Sequence, residues 1–304
     1  INQVLTNPSN ATSGTVQYLV TPTSTSGSCA GAAYTITVTV NPTPALTNSA
    51  TAVICSGTSP GIALTASAAS SFSWALGTNT GSISGAVAGS GTSINQTLTN
   101  PSNAGAGSIE YVITPTSTSG SCTGAADTIT VTVNPLPVVT NAATKSICSG
   151  ASSNISLTSS VASSFSWTIG TITGGITGSS AGSGATINQT LTNPSNAASG
   201  TVPYVITPTS SSGSCAGDAY TITVTVNPIP VVSNASTKTI CSGASTGITL
   251  TSSVASSYSW TIGAITGGIT GASASSGATI NQVLTNPSNA TSGTVQYLVT
   301  PTST

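Results

Sequence analysis

The sequence predicts an all-β chain made of tandem copies of one small sandwich domain, and three observations support this. The tripeptide Ile-Asn-Gln recurs at Ile1, Ile94, Ile187 and Ile280, always 93 residues apart. Short segments rich in Val, Ile and Thr alternate apolar with hydroxyl side chains, which is the period-two pattern of half-buried strands. No segment shows the 3.6-residue periodicity of an amphipathic helix. Each 93-residue copy is long enough for one domain with its own core.

The boundaries between copies are predicted at three Val-Asn-Pro-x-Pro segments. Proline fixes the backbone and lacks an N–H donor, so two prolines around one residue suit a short, semi-rigid linker. These boundaries give two complete copies, the C-terminal part of another and a truncated one, at 42–134, 135–227, 1–41 and 228–304. Residues 1–25 are identical to residues 280–304, so we expect the chain to be cut from a longer array.

About seven strands are expected in the copy at 135–227. In chain order they are predicted at 137–148 (one or two edge strands), 155–157, 165–169, 187–191, 202–206 and 220–226. The last is the clearest, because Ile222, Val224 and Val226 alternate with threonines. This strand count and spacing are typical of an immunoglobulin-like (Ig-like) sandwich.

The three tryptophans, Trp74, Trp167 and Trp260, each end a Phe-Ser-Trp or Tyr-Ser-Trp triplet on a predicted strand. A large aromatic side chain at the centre of an alternating strand is expected in the core. A surface platform for stacking sugars is the alternative.

Several motifs resemble one known family. They are Ile-Cys-Ser-Gly, Ser-Phe-Ser-Trp, Ile-Asn-Gln-x-Leu-Thr-Asn, Gly-Ser-Cys-x-Gly and Thr-Val-Thr-Val-Asn-Pro. Together they resemble the PKD-like, Ig-like repeats of very large surface proteins of Bacteroidota, and the resemblance covers essentially the whole chain. It implies a secreted protein similar to gliding-motility adhesins and exported by type IX secretion. The repeats serve as spacers in proteins of differing function, so the resemblance does not specify a role.

The six cysteines, two in each full period, indicate a secreted protein with one disulfide per domain. Pairing within copies would join Cys55 to Cys122 and Cys148 to Cys215, leaving Cys29 and Cys241 to pair outside this segment. Pairing across a proline linker would instead join Cys29 to Cys55. The first is favoured, because the final strand of each copy carries the chain away from Cys29. Two thiols without histidine or acidic neighbours cannot complete a zinc site.

Only two Lys and three Asp or Glu occur in 304 residues, with no His. A nucleic-acid partner is excluded because phosphate binding needs Lys and Arg, and no apolar run is long enough for a membrane span. Glu110, Asp127 and Asp218 do not recur in the other copies, so no general acid or base is expected. Calcium needs several carboxylates at one site. We therefore expect no cofactor, metal or catalysis.

An almost uncharged surface coated in Ser, Thr and Asn can associate with copies of itself at small electrostatic cost. The sequence favours a structural part of a giant secreted protein that forms an extracellular filament. The alternative is the extender of a cell-surface adhesin whose binding domain lies outside this segment. A passive stalk for an enzyme is the third hypothesis.

Overall fold

The predicted all-β fold is confirmed by a computed structural model that describes residues 1–304 and contains 21 strands and no helix. No helix is therefore present that could cross a membrane. The chain forms two compact units, the first made of Ile1–Val138, Ser159–Ser164 and Pro208–Asp218. The second unit comprises Val139–Thr158, Phe165–Thr207 and Ala219–Thr304.

The strands repeat in the same order along the chain. Residues 1–41 contain β1 (Gly14–Val20) and β2 (Tyr34–Val40). Residues 42–134 contain β3 (Thr51–Cys55), β4 (Ile62–Ala63), β5 (Ser70–Thr80), β6 (Gly89–Ser90), β7 (Ser93–Ile94), β8 (Gly107–Ser117) and β9 (Asp127–Asn134). Residues 135–227 contain β10 (Thr144–Cys148), β11 (Ile155–Ser156), β12 (Ser163–Ile169), β13 (Gly182–Ser183), β14 (Thr186–Ile187), β15 (Gly200–Ser210) and β16 (Tyr220–Asn227). Residues 228–304 contain β17 (Ile248–Thr249), β18 (Ser256–Ile265), β19 (Ser275–Ser276), β20 (Thr279–Ile280) and β21 (Val295–Ser303).

Each complete copy has seven strands, the predicted number, in a five-stranded and a two-stranded sheet. The order is β3-β9-β8-β5-β6 with β4-β7 in the first, and β10-β16-β15-β12-β13 with β11-β14 in the second. Neighbouring long strands are antiparallel, but β3 runs parallel to β9 and β10 runs parallel to β16. The first strand of each copy therefore points the same way as its last strand.

The core of each complete copy lies on the inner face of the long strands. In β16 the apolar residues Ile222, Val224 and Val226 are at most 1% exposed, while the threonines between them face outward. Alternation along the strand therefore decides which side chains are buried.

All three tryptophans are buried, with exposed fractions of 8%, 7% and 5% for Trp74, Trp167 and Trp260. The indole N–H of Trp167 donates to the carbonyl of Ser180 at 3.1 Å. The only polar group of this ring is thereby satisfied, as burial of a tryptophan requires.

The incomplete copies show what the final strand contributes. Residues 237–241, which correspond to β3 and β10, form no strand, because residues 228–304 contain no counterpart of β9 or β16 to pair with. The core of this copy is reduced to Leu250, Trp260 and Ile280 with a few half-buried neighbours.

Candidate functional site at the joint between copies

The most distinctive chemical feature is a disulfide between Cys55 and Cys215, residues 160 positions apart in the sequence. Their Cα atoms are 5.5 Å apart, within the usual range for a disulfide. Cys55 is the last residue of β3, and Cys215 lies in the turn between β15 and β16. Both belong to the first compact unit, because Pro208–Asp218 packs with that unit. The bridge thus joins one complete copy to the next.

The predicted pairing of Cys55 with Cys122 is wrong, and the direction of β3 explains why. Cys55 is in register with Asn134 at the end of β9, whereas Cys122 precedes the start of β9 at Asp127. Eight residues of strand separate these ends by about 26 Å at 3.3 Å per residue. Disulfide-bonded Cα atoms lie within about 7 Å. The two cysteines are therefore at opposite ends of the sheet.

The predicted pairing of Cys148 with Cys215 is wrong for the same reason. Cys148 is in register with Asn227 at the end of β16, while Cys215 precedes the start of that strand. Four cysteines have no disulfide partner in the structure, namely Cys29, Cys122, Cys148 and Cys241. The alternative bridge from Cys29 to Cys55 is also not formed.

We call the region where two copies meet, at each Val-Asn-Pro-x-Pro segment, a joint. At the joint formed by residues 133–137, the turn that carries Cys215 packs against this segment through the backbone of two glycines. A methyl group on Gly213 would overlap the side-chain amide of Asn134, and one on Gly217 would overlap the carbonyl oxygen of Pro137. Gly213 also has a φ of +74°, which favours glycine. These glycines allow the close approach that brings Cys215 to Cys55.

The same docking occurs one copy earlier, where no disulfide is formed. A methyl group on Gly120 would overlap the amide of Asn41, and one on Gly124 would overlap the carbonyl of Pro44. The nearby Cys122 is unpaired. Docking of the turn therefore does not depend on the bridge.

A second contact at the joint is a hydrogen bond from a serine hydroxyl to a backbone carbonyl. Ser160 Oγ donates to the carbonyl oxygen of Asn103 at 2.6 Å. Equivalent bonds, each across 57 residues, join Ser67 to Asn10 and Ser253 to Asn196. Successive copies are thus connected by the same polar contact three times along the chain.

Asn134, at the centre of the bridged joint, is only 3% exposed, and its Nδ2 is the one buried side-chain polar atom without a hydrogen-bond partner. The equivalent Asn227 is better satisfied. Its Oδ1 accepts from Ser199 Oγ at 2.9 Å and its Nδ2 donates to Ser146 Oγ at 3.0 Å. Ala106 and Val53 occupy those two serine positions around Asn134.

A cleft of about 430 Å³ lies beside this joint and is lined by small and hydroxyl residues, including Ala106, Asn134, Val161 and Ser211. No titratable side chain lines it, and no group of three or more His, Cys, Asp or Glu occurs in the structure. The cleft therefore offers no titratable group that could act as an acid or a base.

The three carboxylates occupy different parts of the structure: Asp218 follows Gly217 in the docked turn, whereas Glu110 and Asp127 lie on β8 and β9 and each accept a hydrogen bond from a backbone N–H. The backbone N–H of Thr78 donates to Glu110 Oε2 at 2.9 Å, and this hydrogen bond lowers the pKa of the exposed Glu110 carboxyl. Asp127 accepts a hydrogen bond from the backbone N–H of Thr128. Neither contact forms a carboxylate pair of the kind that hydrolyses glycosides.

Two buried tyrosines carry the largest pKa shifts. Burial raises the pKa of Tyr111 and of Tyr204 to about 12, and a hydrogen bond with Ser153 opposes the shift for Tyr204. Each hydroxyl bonds to a glutamine, Tyr111 to Gln96 Oε1 at 3.0 Å and Tyr204 to Gln189 Oε1 at 2.9 Å. These hydrogen bonds connect β8 and β15 to the chain that follows β7 and β14.

The fold and the joint define a tandem array of β-sandwich domains. The PKD-like domain family matches this array four times, at residues 1–44, 52–137, 145–230 and 238–304. The chain belongs to the PKD-like domain family. Domains with such folds are typically non-catalytic.

Several solved structures show weak similarity. The chain is 12% identical to human CDH23 EC21–23, with 85% of this chain and 99% of that chain covered and a TM-score of 0.30. For Drosophila N-cadherin EC1–4 the identity is 12%, the coverage 97% and 83%, and the TM-score 0.26. For Bacteroides ovatus SGBP-B, in complex with a mixed-linkage heptasaccharide, the identity is 17% and the TM-score is 0.21. The match covers 81% of this chain and 61% of that chain. These scores support no inference about ligand or partner. No curated protein matches the chain.

Proposed function

We propose that the chain is a structural, non-catalytic part of a giant secreted protein that forms an extracellular filament. The observation that carries this proposal is the disulfide from Cys55 to Cys215, which joins consecutive copies covalently. Disulfides persist in oxidising, extracellular compartments. A bridge between domains makes the array continuous beyond the peptide backbone, which suits a durable fibre.

The surface chemistry supports association between chains. The formal net charge is −1 over 304 residues, and only 2% of residues are charged. Electrostatic repulsion between copies is therefore small, and hydroxyl side chains can exchange hydrogen bonds with water for hydrogen bonds across a contact. We propose that copies of this chain are its main partners.

The resemblance of the motifs to repeats of Bacteroidota supports secretion to the cell surface or beyond, through the type IX pathway. The domain boundaries proposed here are those at residues 42, 135 and 228. Each sandwich would then act as one rigid bead of the filament, about 40 Å long if it is estimated from strands near 3.3 Å per residue.

Electron microscopy of the purified chain at neutral pH and moderate salt tests the proposal. We expect regular, unbranched fibres of constant width, more than one domain across. Separate strings of beads with variable bends would contradict self-assembly and favour the extender of an adhesin. A parallel sample with dithiothreitol tests whether fibre regularity depends on the disulfide.

A further inference from the structure

We propose that the disulfide between Cys55 and Cys215 is a tension bypass, in which force along the chain passes through the sulfur–sulfur bond. Residues 56–214 then remain unloaded while the bond is intact. The two cysteines are 160 positions apart in sequence, but their Cα atoms are 5.5 Å apart. A chain pulled from its ends cannot lengthen between these residues without breaking a covalent bond. This inference deepens the proposed structural function, but its test does not require filaments.

While the disulfide is intact, nearly all the contour length that unfolding of the two complete copies could release stays inside the bridged loop. The bridged loop contains every strand from β4 to β15, so only β3 of the first complete copy and β16 of the second lie outside it. A fully extended segment of 160 residues spans about 530–580 Å at 3.3–3.6 Å per residue. Without the bridge, unfolding of both copies would release almost this entire length.

The strands that remain in the force path are already extended. Tension enters along β3, crosses to Cys215, follows the turn and leaves along β16. A β-strand rises about 3.3 Å per residue, close to the limit for an extended chain. Pulling on β3 and β16 therefore yields little extra length.

The bridge is not needed to orient the copies. The docked glycines recur at Gly120 and Gly124, where no bridge is present, and the serine-to-carbonyl hydrogen bond recurs at all three joints. Non-covalent contacts thus already define the joint. The disulfide adds a covalent connection between the two copies that can carry force.

Single-molecule force spectroscopy on the 304-residue chain, held by cysteine-free handles at both ends, tests the bypass. We expect the oxidised protein to release about 530–580 Å less contour length than the protein treated with dithiothreitol. Cys55→Ser should release the longer length without reductant. Cys148→Ser is the matched control, because Cys148 is the unpaired cysteine at the same position of the next copy, and it should retain the bypass. Equal lengths before and after reduction would overturn the inference.

Proteolysis checks the connectivity independently of folding in the variants. Cleavage after Lys145 and Lys238 places Cys55 and Cys215 in different fragments, 1–145 and 146–238. After alkylation of free thiols, denaturation and Lys-specific digestion, we expect these fragments to migrate together until they are reduced. Separate fragments would overturn the bypass.

The force experiment has a second outcome that would also overturn the bypass. Two shorter lengths of about 220–240 Å, each released only after reduction, would indicate two 67-residue loops closed within single copies.

The bypass and the filament can fail separately. A chain that conceals the long loop but forms no fibres in the microscope retains the bypass and contradicts the filament. A chain that forms fibres but releases the same contour length before and after reduction supports the filament and contradicts the bypass.

Discussion

At the scale of single residues, Asn134 shows how two differences between copies leave one buried amide without a partner. Its counterpart Asn227 bonds to Ser146 and Ser199, whereas Val53 and Ala106 stand near Asn134. A buried donor without an acceptor costs about 1–3 kcal/mol. A hydrogen-bond acceptor placed next to Asn134 Nδ2 should therefore raise the free energy of unfolding of this copy.

We predict that Val53→Ser raises the free energy of unfolding by about 1 kcal/mol, because the new hydroxyl can accept from Asn134 Nδ2. Val53 is 62% exposed, so removing its side chain sacrifices little apolar burial. Urea unfolding at equilibrium measures the difference. In the reverse control, Ser146→Val should lower the free energy by a smaller amount, because the hydrogen bond from Asn227 to Ser146 is exposed to water. Val53→Ser without any gain would contradict the prediction.

At the scale of elements, one loop in each of the three copies after residue 41 requires a glycine. Gly178 has a φ of +93°, and a methyl group there would overlap the carbonyl oxygen of Thr190. The same relation holds for Gly85 with Thr97 and for Gly271 with Val283. This approach allows the short bridge between Thr177 and Thr192, which holds the loop against the chain that follows β14.

We predict that Gly178→Ala lowers the free energy of unfolding by more than about 2 kcal/mol, since a left-handed backbone alone costs about 1–2 kcal/mol with a side chain. Overlap with the Thr190 carbonyl adds to this cost. Gly150→Ala is the matched control, because Gly150 has a φ of +81° but no atom near the new methyl group. It should lose only the backbone contribution. Equal losses in urea unfolding would show that the close approach is unimportant.

The elements also show what the sequence could predict. Alternation in the long strands was sufficient to place Ile222, Val224 and Val226 inside, because side-chain period and burial coincide there. The two-residue strands β6 and β13 are too short to carry a period. The cysteine pairing failed because the sequence pattern does not reveal the direction in which β3 runs relative to β9. Only the parallel pairing of β3 with β9 places Cys55 far from Cys122.

At the scale of the whole molecule, the scarcity of charge makes the response to pH simple. Burial raises the pKa of Tyr111 and Tyr204 from 10.0 to about 12. A phenol whose pKa is higher in the folded state stabilises the fold fully below pH 10 and loses this contribution as the pH rises towards 12. The pKa of the Glu110 carboxyl is lowered, so its contribution disappears only as the pH falls below its ordinary value of 4.5.

We predict that stability stays nearly constant from pH 5 to 8 and falls between pH 10 and 12. Urea unfolding across this range measures it. Tyr111→Phe combined with Tyr204→Phe should flatten the alkaline decline, although each variant loses one hydrogen bond worth about 1 kcal/mol at neutral pH. A marked decline between pH 5 and 8 would contradict the prediction, since the sequence has no histidine.

Two of the contacts at the joints between copies are made to main-chain carbonyl groups. Ser160 bonds to the carbonyl of Asn103, and Gly217 packs on the carbonyl of Pro137. A carbonyl group is present whatever side chain its residue carries, so these two contacts require the serine and the glycine of one copy but no particular side chain at the accepting position of the other. A gene for such an array can therefore gain or lose whole 93-residue units by recombination without creating a mismatched junction. The number of units in the array can therefore change while the serine and glycine residues of each joint stay the same.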